Sequence, residues 1–109
     1  MISKKLEKVY LSQSSTFNSD AIDIESFYST SLHSAMTNGD TIAATLILQV
    51  SNDLTKPWID LPATAITISD VETDYSFIDI QCSSAYVRAS VTIESGSADF
   101  EFAWFFKSN

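Results

Sequence analysis

Residues Tyr86–Lys107 read YVRASVTIESGSADFEFAWFFK, and their alternation decides the fold class. Val87, Ala89, Val91 and Ile93 fall on one side, with Arg88, Ser90, Thr92 and Glu94 on the other. After Ser95-Gly96-Ser97 the pattern resumes. Phe100, Phe102, Trp104 and Phe106 alternate with Glu101, Ala103, Phe105 and Lys107. A period of two sends each set to one face of a sheet, so the stretch predicts two strands. Gly96 between two serines predicts the tight turn that joins them. Phe105 then points away from the aromatic core face. An outward Phe carries roughly 150 Å² of apolar surface, so it is a candidate for a subunit contact.

Upstream segments follow the same pattern. Lys8–Ser12, Asp20–Glu25, Ser26–Met36 and Thr41–Ser51 read as strands, as do Trp58–Leu61, Thr64–Ser69 and Tyr75–Gln81. Ile42, Ala44, Leu46, Leu48 and Val50 form a clear inward set. Asn38-Gly39 predicts a hairpin turn, because both residues tolerate positive φ. Pro57 and Pro62 bound a short strand and exclude central positions. Short alternating strands separated by turn signals predict an all-β fold, an antiparallel β-sandwich or jelly roll of about eight strands.

The 109 residues make one domain, and 45 % hydrophobic and 12 % aromatic content supplies a core. No signal peptide and no apolar run long enough to span a bilayer is expected, so the reading is a protein made in a cytoplasm without membrane contact. Fourteen acids against six bases give a net charge of −8, which repels phosphate backbones and argues against nucleic-acid binding. Half of the bases, Lys4, Lys5 and Lys8, lie in the first eight positions. Residues 1–8 are therefore a candidate basic arm that docks on an acidic neighbour. Arg88, the one arginine, is a candidate clamp for a carboxylate within or between subunits.

Reactive chemistry has no constellation to stand on. His33 is the one histidine and Cys82 the one cysteine, so zinc sites and catalytic triads lack partners. Asp70, Glu72 and Asp74 alternate, but an EF-hand loop starting there would need glycine and glutamate where Tyr75 and Gln81 stand. Asp20, Asp23 and Glu25 read as exposed strand positions that discourage edge pairing. No cofactor, no metal and no catalytic residue is assigned, and an enzyme is not expected.

Four motifs carry a resemblance. Leu48–Asp53 (LQVSND), Trp58–Leu61 (WIDL), Tyr86–Arg88 (YVR) and Ser95–Ser97 (SGS), closed by Lys107, resemble in their order a group of small phage-encoded β-sandwich proteins. The resemblance covers about residues 20–107. It departs at Leu54, where the group usually has glycine after the loop aspartate. It implies a structural component of a bacteriophage virion: a capsid decoration or head-fibre subunit, or a tail accessory protein. Such a protein would be assembled in the host cytoplasm and would bind itself, with a trimer as the expected size, and a major capsid protein. Lys4, Lys5, Lys8, Phe105 and Arg88 are the candidate interface residues. The stretch Ser51–Trp58 is also similar to the loop of discoidin-like sugar-binding modules. The alternative is therefore a carbohydrate or host-surface binding module in which Asn52, Asp53 and Trp58 form the ligand platform.

Overall fold

The computed structural model describes residues 3–68, 73–80 and 84–108. It is all-β and antiparallel, as the alternation predicts. The strands are β1 (Ser3–Gln13), β2 (Phe17–Asn18), β3 (Ile22–Asp23), β4 (Ser29–Ser51), β5 (Ile59–Ile68), β6 (Thr73–Ile80) and β7 (Tyr86–Lys107).

The frame is a ribbon made of β4 and β7, paired from Ser29 opposite Lys107 to Ser51 opposite Tyr86. At about 3.3 Å per residue, 23 straight residues would span roughly 75 Å, whereas the molecule's longest dimension is 41 Å. The ribbon therefore folds over. Its register slips between Thr37 and Ala44, where Asn38 and Thr41 have φ near +52°. Gly96 on the facing strand has φ +77°.

These features correct the two expected hairpins. Asn38-Gly39 and Ser95-Gly96-Ser97 lie opposite one another as bulges inside continuous strands. Two bulges facing each other bend both strands of a ribbon without reversing either. The Gly96 requirement is steric as well as conformational. A Cβ there would sit 2.5 Å from the Thr41 carbonyl oxygen and closer still to that of Asp40.

Each half of the ribbon gathers its own edges. The half with Phe100–Lys107 pairs with β1 on one side, and its β4 partner pairs with β6 on the other. The half with Tyr86–Val91 pairs with β2 and β3, and its β4 partner pairs with β5. The two rows are thus β1-β7-β4-β6 and β2/β3-β7-β4-β5. Phe17, on β2 of the second row, lies 5.3 Å from Phe100 and 6.4 Å from Phe102 of the first, ring centre to ring centre.

The core follows the predicted faces. Leu46, Leu48, Ala89, Val91, Phe100 and Phe102 have no exposed surface, and Val87, Trp104 and Phe106 are also buried. Fully burying one such phenylalanine contributes about 1.5–3 kcal/mol. Ser34 shares the inner face with Leu32 and Met36, and its hydroxyl has no hydrogen-bond partner among the described residues.

Four boundaries differ from expectation. Ser26–Met36 and Thr41–Ser51 are one strand, as are the two halves of β7. Trp58–Leu61 and Thr64–Ser69 merge into β5, where residues 62–65 bulge opposite the single residue Ile47. Thr64 stitches that bulge: its hydroxyl accepts from Leu48 N (2.9 Å) and donates to the Leu61 carbonyl (2.7 Å). Pro62 is tolerated because β5 is an edge. Asp20–Glu25 holds only the short β3. Cys82 and the acidic run Asp70–Glu72 lie outside the described residues.

Candidate interaction surface

β1 is the longest edge of the molecule. Its side chains alternate, with Lys4, Leu6, Lys8 and Tyr10 on the core side and Lys5, Glu7, Val9 and Leu11 on the outer side. The strand pairs with the aromatic half of β7, with Leu6 opposite Trp104 and Tyr10 opposite Phe100. From Ser3 onward the expected free arm is therefore a sheet strand, which is a correction. The lysines hide a period-two pattern that becomes favourable once an aromatic strand lies beside it. Edge strands present unpaired N–H and C=O groups along one side. Every described β1 side chain from Lys4 to Ser12 except Tyr10 is exposed, Val9 at 51 % and Leu11 at 65 %.

Lys4, Lys5 and Phe105, singled out separately in the sequence, adjoin on this edge. Phe105 faces outward at 39 % exposure directly across from Lys5, in a shallow hollow that Lys4 and Lys107 also line. The Lys5 ammonium lies 5.5 Å from the Phe105 ring centre and 2.7 Å from a Glu7 carboxylate oxygen. Exposed pairs of this kind hold little energy, about 0–1 kcal/mol. They position charge without closing the surface.

Lys8 faces the other way, into a groove of about 330 Å³ between β1 and residues 20–23. Leu6, Ile22 and Trp104 supply its apolar lining. The Lys8 ammonium donates to the Asp20 carboxylate at 2.5 Å, and that hydrogen bond and charge raise the Lys8 pKa above its usual 10.5. The Asp20 amide in turn donates to the Tyr10 hydroxyl at 3.0 Å. Two lysines, three carboxylates (Glu7, Asp20 and Asp23) and a tyrosine hydroxyl already engaged in a hydrogen bond give the groove polarity, but no activated nucleophile.

Arg88 does not join this surface. It lies on the outer side of the second row, where its Nε donates to Gln49 Oε1 (2.8 Å), and Gln49 Nε2 donates to Asp60 Oδ1 (2.7 Å). Direct register pairing of Asp60, Gln49 and Arg88 across three strands aligns this relay. The guanidinium also covers the Trp58 ring at 4.3 Å, and burial lowers the Arg88 pKa. The expected carboxylate clamp is thus an amide relay within one subunit.

Asn52, Asp53 and Trp58 do share one loop region, but its own turns use them. Asn52 Oδ1 accepts from Ala85 N (3.2 Å), and Asp53 Oδ1 accepts from Thr55 N (2.9 Å) and Oγ1 (2.8 Å). Those two bonds from Thr55 hold the Asp53 pKa below the usual carboxylate value. Trp58 is half-buried and carries Arg88 on its face, which removes that face as a stacking platform.

His33 is exposed on the outer side of the first row, opposite Ala103. Among the described residues no three His, Cys, Asp or Glu side chains are placed to hold a metal ion.

No family model matches the chain, and no curated protein matches it. Among solved structures, it is similar to a chain from Bacillus endospore appendages, which form a family of disulfide-linked pili. The superposition has a TM-score of 0.55 at 10 % identity and covers 99 % of this chain and 88 % of that one. At that identity the likeness is one of fold.

Proposed function

We propose that the protein is a non-enzymatic structural subunit that works by binding copies of itself and neighbouring subunits in a large assembly. The observation that carries this reading is β1, an 11-residue edge strand exposed along its length, beside the outward-facing Phe105. A rigid aromatic core with a long edge guarded by charges alone suits a building block, because main-chain hydrogen bonds to a neighbour add affinity without requiring a pocket. The virion component implied by the phage resemblance is the host assembly we favour. The fold shared with a pilus chain supports the self-assembling part of this reading.

Sedimentation and negative-stain microscopy of the purified chain test the reading. Regular oligomers or filaments whose abundance rises with protein concentration are expected. A chain that stays monomeric at every soluble concentration overturns it. Antibody labelling of intact phage particles then tests the virion assignment, and unlabelled particles refute that part.

A further inference from the structure

The two edges of the first row carry opposite charge. At one end β1 holds Lys4, Lys5 and Lys8 against a single acid, Glu7. At the other end β6 contains Asp74 and Asp79 and no base. Between Lys56 and Arg88 the chain has five acids and no lysine or arginine. We infer that β1 of one copy pairs with β6 of a second copy, extending the row head to tail. This rests on the self-assembling reading above and names its surface.

The topology meets the geometric requirements. β1 is antiparallel to β7, β7 to β4 and β4 to β6, so β1 and β6 run in opposite directions. A second copy in the same orientation therefore offers an antiparallel partner, with its inner and outer faces matching those of the first. Among the described residues β6 pairs only with β4 and β1 only with β7, leaving one side of each open.

Neither strand contains proline, the guard that β5 carries as Pro62. That guard confines strand pairing to the first row while β5 and β2/β3 of adjacent copies come alongside. Lys5 and Lys8 have acidic neighbours within their own subunit, but both side chains remain 55 % exposed and can turn to a stronger field. Joining unlike surfaces is a heterologous contact, which closes into a ring or continues as a filament.

Two charge-reversed chains test the inference. K4E/K5E makes both edges acidic, and D74K/D79K makes both basic. Each variant alone is expected to lose assembly, and an equimolar mixture to regain it as an alternating co-assembly. A generally damaged fold would not produce that recovery. Circular dichroism checks folding. If either variant is unfolded, a zero-length carbodiimide cross-link on the native assembly decides, with Lys4 or Lys5 expected to join Asp74 or Asp79 of another copy. Single variants that assemble like the native chain overturn the inference while leaving the self-assembling reading in place. Folded variants whose mixture stays monomeric, or cross-links that lie elsewhere, do the same. A native chain that never assembles overturns both.

Discussion

The molecule treats its edge strands β1 and β5 differently. β5 is blunted, with Pro62 and a four-residue bulge interrupting its pairing and the Thr64 hydroxyl satisfying the backbone groups that the bulge leaves open. β1 pairs regularly from Ser3 to Tyr10, with charges as its only deterrent, and leaves Val9 and Leu11 in solvent. Proteins that must stay monomeric blunt exposed edges. Blunting one edge with proline and a bulge while guarding the longer one with charges alone, which an oppositely charged strand can neutralise, fits the proposed role of β1 as a surface for a partner.

Both edges hang on the bent ribbon, so the largest expected effect comes from breaking the bend. Gly96→Ala forces a Cβ into the Asp40 and Thr41 carbonyls at a positive φ. It should cost about 2–4 kcal/mol in denaturant unfolding, combining backbone strain with the close approach. A smaller loss would mean the corner can relax and that the two rows are less rigidly joined.

Thr64→Val tests the guarded edge. The methyl replaces the hydroxyl at similar volume, leaving Leu48 N without its acceptor. A loss of about 1–3 kcal/mol is expected, the usual cost of a buried unpaired donor. Faster aggregation by light scattering should accompany it if the stitched bulge is what keeps β5 from pairing.

Asp99 tests the end of the open edge. Its carboxylate accepts from Asn38 Nδ2 (2.8 Å) and Ser12 N (2.7 Å), tying the last part of β1 to the bend. Those bonds lower its pKa below 3.8 in the folded protein. The sign follows from linkage: the stabilisation is complete above pH 3.8 and disappears as pH falls through the lower folded-state value. Asp99→Asn should flatten that part of the acid unfolding curve, measured by fluorescence. An unchanged curve would show that the tie does not hold β1 in place.

Phe105→Glu should have the smallest effect on folding, within about 0.5 kcal/mol, as for surface sites generally. The new carboxylate would face Lys5 across the strand pair. Self-association measured by sedimentation should nevertheless weaken. A variant that sediments like the parent would remove Phe105 from the interface.

Much of the core was legible because its signal is local. The inward sets Ile42–Val50, Val87–Val91 and Phe100–Phe106 each follow from alternation alone, and the outward direction of Phe105 follows with them. β1 was only partly legible. Its lysines obscure the alternation, and its pairing depends on Phe100–Lys107, which lies some ninety residues away in sequence. Arg88 could be placed on an outer face but not matched to Gln49 and Trp58, because register between distant strands carries no local mark.

Residue order by itself determined that this chain forms antiparallel strands with one aromatic face, since period two follows from the geometry of the extended backbone. Only the tertiary structure decided that Asn38-Gly39 and Gly96 bend a continuous ribbon instead of reversing it. A residue that permits positive φ suits a turn and a bulge equally, and the strand lying opposite selects between them.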